Sequence, residues 1–153
     1  MDRTIPIELT NMIMIENPKT KEILVEDRKN PAWPGVTFPG GHIENGETIV
    51  ASVIREAFEE TGLHVNHLRF VGIKEWPLTA NGRYIVMLFK TNHYYGDIKT
   101  SREGHIFWTT REALKDMVTP PTFMAMLPVF DQPTISELSL DQTSAGETTL
   151  NWL

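Results

Sequence analysis

The chain has no cysteine. That excludes disulfides, a thiol nucleophile and a cysteine-type zinc site. It also has no apolar run approaching the roughly 20 residues a membrane span needs, so no membrane partner is expected. The opening residues, MDRTIPIELT, lack an apolar signal core, and a cytoplasmic location is the default expectation. Positive charge is scarce. Fourteen Lys and Arg against 20 Asp and Glu leave a net charge of −6, which argues against a surface for a nucleic-acid polymer. Internal repeats and low-complexity linkers are absent too, so residues 1–153 are expected to form one domain.

What is present is ordinary for a globular protein: 41% hydrophobic and 22% charged residues. Ile5 to Glu16 holds the dense run Met12-Ile13-Met14-Ile15, suited to a strand covered on both faces. Asn17 to Thr20 is a turn, and Glu22 to Asp27 reads as the next strand, so the two strands are expected to pair as a hairpin. Asn30 to Gly35 is a loop with two prolines and Trp33. Either Trp33 anchors that loop against the core, or it walls a nucleotide site, where aromatic rings stack well. Val36 to Phe38 is a short strand running into Pro39-Gly40-Gly41.

Further on, Leu68 to Trp76 reads as a strand with Gly72 as a bulge. Pro77 to Gly82 is a turn, and Arg83 to Thr91 should be a central strand. Tyr94-Tyr95-Gly96 begins a loop, and His105 to Trp108 is a short strand. A helix over TTREALKDM follows, capped by Thr109 or Thr110, and Pro121 to Phe130 is another helix with Pro121 near its first position. Residues 131–153 are too apolar for a plain tail. They form either an added hairpin or a contact with a second subunit of a homodimer. The order of elements predicts an α+β (mixed α/β) fold with helices on both sides of a sheet.

The chemistry concentrates between Gly41 and Leu63. Thr48 to Thr61 contains neither Gly nor Pro, Asn45 is a candidate cap, and Gly62 is a natural stop. At about 100° per residue, Val50, Val53, Ile54, Ala57, Phe58 and Thr61 fall on one side, which predicts the core face. Glu56, Glu59 and Glu60 gather on the other side, where Ser52 leaves room above them. Alone, such a trio reads as a solvated acidic face. Here two adjacent glycines let backbone approach closely beside it. Carboxylates, carbonyls and water are the ligands Mg²⁺ or Mn²⁺ prefers, usually shared with a substrate phosphate.

This segment resembles the Nudix box, G-x5-E-x7-R-E-U-x-E-E-x-G-U with U a bulky aliphatic. Gly41, Glu47, Arg55, Glu56, Glu59, Glu60 and Gly62 occupy its fixed positions and Leu63 its last aliphatic one. The similar order of elements extends from Ile5 to Met117. The resemblance implies an αβα sandwich around a mixed sheet, with the box as loop–helix–loop. It implies hydrolysis of a nucleoside diphosphate linked to another group, dependent on Mg²⁺, with Mn²⁺ as the other candidate ion. By position in the box, Glu59 and Glu60 are implied metal ligands, Glu56 a ligand or general base, and the Gly40 carbonyl a further ligand. Arg55 and Glu47 are the implied bracing pair, and Gly41 borders the substrate. Outside the box, Glu103 is the candidate additional acid, and Arg83 and Lys90 are candidates for the phosphates. His42 is expected only to decorate the loop.

The approach to the box, W-x3-T-F-P-G-G-H-x-E, and the later G-I-K-x-W-P-L and G-R-Y-I-V segments resemble the bacterial MutT/MutX type. That type implies an oxidised nucleotide such as 8-oxo-dGTP as substrate, cleaved to monophosphate and pyrophosphate. ADP-ribose, a dinucleoside polyphosphate or an ordinary NTP are alternatives. A non-catalytic nucleotide-binding module is the alternative from another class; degenerate carboxylates would favour it, and here the set is complete.

Overall fold

The apolar residues of the first strand alternate between two cores, and that alternation organises the molecule. The structure is a computed structural model and describes residues 1–78 and 81–153. Strand β1 (Ile7–Ile15) sends Ile13 and Ile15 into one cluster with Val53, Ala57 and Leu63, and Met14 into another with Phe38, Met126 and Phe130. A strand with period two can serve both faces only if both are covered.

The chain then runs through β2 (Ile23–Arg28), β3 (Gly35–Thr37), β4 (Gly40–His42), α1 (Ile49–Thr61) and β5 (His64–Asn66). It continues with β6 (Arg69–Pro77), β7 (Arg83–Thr91), β8 (His93–Tyr95), β9 (Gly104–Thr109), α2 (Arg111–Leu114) and α3 (Phe123–Asp131). It ends with β10 (Glu137–Gln142) and β11 (Thr148–Trp152). A six-stranded mixed sheet has the order β11-β10-β6-β7-β1-β4, with β1 parallel to β7 and β10 parallel to β6. Helix α1 packs on one face and α3 on the other. A second, antiparallel sheet has the order β3-β2-β9, and β5 pairs with β8. The fold is therefore α+β with a mixed sheet, as the pattern of elements predicts.

Several local expectations change. β1 and β2 do not form a hairpin: past the single bridge Glu16–Ile23 they separate into different sheets. Their divergence places Glu26 of β2 beside Glu60 of α1. Gly40 to His42 is not only a turn; it pairs with Thr10 to Met12. Tyr94 and Tyr95 belong to β8 rather than to a loop. The bulge at Gly72 is present, between Phe70 and Gly72 on β6. The turn expected at Pro77 to Gly82 includes residues 79 and 80, which lie outside the described residues.

The helix ends also differ. Thr48, not Asn45, caps α1, its hydroxyl accepting from the Ala51 amide at 3.1 Å. Gly62 stops α1 in the left-handed region at φ 79°, where a side chain would be strained. Thr110 caps α2, which spans only four residues. Pro121 precedes the α3 cap, Thr122, instead of opening the helix. The chain end folds as a hairpin, with β10 antiparallel to β11 and docked on β6. Trp152 Nε1 ties it to the Ala125 carbonyl of α3 at 2.8 Å.

The core face of α1 is narrower than its periodicity suggests. Val53, Ala57 and Thr61 are buried, but Val50, Ile54 and Phe58 are 46%, 38% and 47% exposed. The helix approaches the sheet through small residues. Ser52 is buried instead of leaving room over the carboxylates: it accepts from Asn11 Nδ2 at 2.9 Å and donates to the Ile49 carbonyl at 2.6 Å. That rotation carries Glu60 inward.

Candidate functional site

Glu60 lies on the buried side of α1, at 2% exposure, not on a solvated acidic face. Its Oε2 accepts from the Gly40 amide at 2.9 Å. Hence the contact from Gly40 to this site runs through its N–H. Glu26 of β2 is fully buried, and neither of its carboxylate oxygens has a hydrogen-bond partner among the described residues. The Arg28 guanidinium stands 3.9 Å away. Glu103, exposed just before β9, completes a trio: one oxygen each from Glu26, Glu60 and Glu103 lie within 4.8 Å of one another.

The electrostatics follow from this crowding. Burial is the first cause pushing the Glu60 carboxyl far above the ordinary carboxylate range, with Glu103 and Glu26 adding to it. Burial likewise raises Glu26, against the opposing pull of Arg28. Two buried carboxylates this close, Glu26 and Glu60, disfavour each other's charged form unless a cation compensates. A divalent ion fits this donor set. One carboxylate oxygen from each of Glu26, Glu60 and Glu103 makes a set of hard ligands of the type Mg²⁺ and Mn²⁺ take. Buried polar atoms without partners are otherwise rare.

Arg55 braces the outer half of the site. Its Nε donates to Glu47 Oε2 at 3.0 Å and its Nη2 to Glu47 Oε1 at 2.7 Å, a bidentate pair. Nη1 donates to Glu56 Oε1 at 2.8 Å and Glu59 Oε2 at 3.2 Å, while Nη2 also reaches the His42 carbonyl at 3.1 Å. Five acceptors on one guanidinium hold the loop to the helix. The Arg55 contacts keep the Glu47 carboxyl down to about 2, helped by the Glu44 amide. Glu56 is raised by burial, partly offset by Arg55, and it feels the charges of Glu59 and Glu103. Gly41 packs directly over Glu56: a Cβ at Gly41 would run into that carboxylate.

The structure thus brings Glu60 and Glu103 together with Glu26, and Glu47, Glu56 and Glu59 together around Arg55. Glu26 escapes the sequence reading. Its only signal is an acid at the end of the apolar run Ile23-Leu24-Val25. Other candidates stand elsewhere. Trp33 is 56% exposed, so it is not an anchor against the core. Arg83 is engaged by Glu75, and Lys90 donates to the Phe130 carbonyl at 2.9 Å. His42 bonds Glu8 at 2.8 Å. Beside Glu103 opens a hollow of about 500 Å³ lined by Arg28, Lys29, Asn30 and Arg102. Three cations therefore border the acidic trio.

The NUDIX domain family model matches residues 8–126. Among curated proteins, the NAD-capped RNA hydrolase NudC of Pectobacterium atrosepticum is 28% identical over 92 residues, 60% of this chain and 34% of that protein. The NAD-capped RNA hydrolase NUDT12 of Pongo abelii is 33% identical over 110 residues, 71% of this chain and 23% of that protein. The chain thus spans about a third or less of the length of these two relatives. Among solved structures, the MutT protein of Bacillus halodurans superposes with a TM-score of 0.73 at 19% identity, covering 95% of this chain and 97% of that one. The NUDIX domain of Shewanella oneidensis NrtR, complexed with ADP ribose, gives 0.67 at 12% identity, covering 86% and 89%. At these identities the structural likeness is one of fold.

Proposed function

Because this chain belongs to the Nudix family, we propose that it hydrolyses nucleotide-linked diphosphates with a divalent metal ion. The observation that carries the reading is the Glu26–Glu60–Glu103 trio with its two orphaned buried oxygens. Glu60, Glu26 and Glu103 would hold Mg²⁺ or Mn²⁺, with Glu59 as a further candidate ligand. When bound, such an ion neutralises phosphate charge and polarises the phosphoryl oxygens.

The chain's own residues do the rest. Arg55 and Glu47 lock the loop against α1, so that the carboxylates keep their angles. Glu56, wedged under Gly41 and held by Arg55, is the candidate general base for the attacking water. The Gly40 amide orients Glu60, and Gly41, lacking a side chain, lets the Glu56 carboxylate lie against the loop backbone.

The preferred substrate is a triphosphate, an oxidised (d)NTP such as 8-oxo-dGTP, cleaved to monophosphate and pyrophosphate. Its support is the cationic hollow beside Glu103. A triphosphate carries further negative charge beyond the bond cleaved, and Arg28, Lys29 and Arg102 suit it. In ADP-ribose the group beyond the diphosphate is an uncharged sugar. The second reading is ADP-ribose or an NAD-type nucleotide, favoured by the names of the relatives.

A panel of 8-oxo-dGTP, dGTP, other NTPs, NAD, ADP-ribose and dinucleoside polyphosphates with Mg²⁺ tests this, with the products separated. A kcat/KM preference for 8-oxo-dGTP with pyrophosphate released supports the first reading. Preference for ADP-ribose or NAD supports the second. Turnover of none would leave a nucleotide-binding module.

A further inference from the structure

A hollow of about 350 Å³ lies on the α3 side of the six-stranded sheet, away from the acidic trio beside α1. Arg69, Lys90 and Arg111 line it, together with His67 and His93. The two imidazole rings stand 4.7 Å apart. Two acids also line it, and both already have partners. Asp131 takes both Arg111 nitrogens at 2.6 Å, and Glu16 faces Lys21 at 3.8 Å.

The donors outnumber the acceptors. Lys90 gives one of its three N–H bonds to the Phe130 carbonyl. Arg69, exposed at the start of β6, has neither an ion pair nor a hydrogen bond among the described residues. The rings of His67 and His93 likewise have no hydrogen-bond partner among the described residues. In a chain of net charge −6, this concave concentration of donors runs against the overall field. Guanidinium and ammonium groups around a hollow match the oxygens of a phosphate, which accepts several charge-assisted bonds at once.

We propose that this hollow binds a phosphate-bearing anion, with Arg69 as its principal charge and Lys90, His67 and His93 around it. Its volume exceeds a single phosphate and admits pyrophosphate or a nucleoside monophosphate. The site does not depend on the metal centre and can be tested without it.

The test is histidine ring NMR on the full chain in EDTA, with signals assigned from His67→Gln and His93→Gln. Sodium pyrophosphate and dGMP are titrated separately. The expected result is a saturable shift of both ring signals. Arg69→Ala should weaken binding roughly tenfold, Arg69→Lys should keep most of it, and Glu60→Gln should leave it unchanged. Tighter binding of pyrophosphate supports an inorganic anion as the occupant, and tighter binding of dGMP a nucleotide. No saturable shift would overturn the proposal. So would an equal response to sodium sulfate, undiminished binding by Arg69→Ala, or loss of binding in Glu60→Gln.

Discussion

Glu60 on α1 and Glu26 on β2 point their carboxylates at each other, within 4.8 Å, in a place where both are buried. Neither element needs such a residue for its own stability. A strand interior disfavours acids, and a buried carboxylate without a partner destabilises the fold. The pair makes physical sense as half of a cation site.

Addition of Mg²⁺ should raise the melting temperature, and EDTA should reverse the rise. Saturating ion at about 100 times its Kd adds roughly 2.7 kcal/mol, which in a chain this size corresponds to a shift on the order of 5–10 °C. Glu26→Gln relieves the repulsion, so it should melt no lower than wild type without metal, yet gain little from Mg²⁺. Its turnover should fall roughly 10²–10⁴-fold. Calorimetry with and without Mg²⁺ checks this. An equal Mg²⁺ response in Glu26→Gln and wild type would remove Glu26 from the site.

Arg55→Lys keeps the charge and loses the fork that binds Glu47 twice. We expect turnover to drop roughly 10–100-fold with the fold intact. The same pair sets an acid limb. Glu47 is held at about 2 against an ordinary value of 4.5. A depressed carboxyl contributes stability above its unfolded value and loses it as pH falls through the folded one. That contribution should therefore be complete above pH 4.5 and fade toward pH 2. Urea unfolding of wild type and Arg55→Lys at several acid pH values would show whether the limb shrinks in the variant.

Lys74 on β6 is 9% exposed and lies 5.6 Å from the centre of the Trp76 ring. Burial pushes its ammonium down to about 8. For a lysine lowered in this way, the folded state binds fewer protons than the unfolded between pH 8 and 10.5, so stability rises with pH across that window. Lys74→Met should stabilise the protein at neutral pH by on the order of 2 kcal/mol. The advantage should shrink as pH approaches 10.5. Denaturant curves at neutral and alkaline pH test this. A variant destabilised at neutral pH would mean the ammonium has a partner that offsets its burial.

Gly41→Ala places a methyl group on the Glu56 carboxylate. The side chain must move away from Arg55, and displacement of a reacting group by about 1 Å can lower turnover roughly 10²-fold. The melting temperature should change little, because the conflict is with one side chain. Unchanged kcat would show that Glu56 need not stay where it is.

Local spacing alone made much of this molecule legible. The absence of Gly and Pro from Thr48 to Thr61 and the glycine after it locate the helix and its stop, and the resemblance to the Nudix box implied the Arg55–Glu47 brace, a contact that lies within a few turns of chain. Continuous apolar runs marked β1 and β7 as interior strands, and the family resemblance pointed to Glu103 as the acid from beyond the box.

The tertiary structure decided what depends on residues far apart in the chain. Val50, Ile54 and Phe58 look like core by period, but which helix stripe is buried depends on how closely the sheet can approach. Small Ser52 and Ala57 turned α1 so that Glu60 went inward. Glu26 joined the site because β2 leaves β1 for a second sheet, a divergence that no local pattern encodes. The sequence by itself determined the family's helix and its charges. Only the packing of two sheets around that helix determined which charges meet, because proximity between distant strands is set by burial of the whole core rather than by any short stretch.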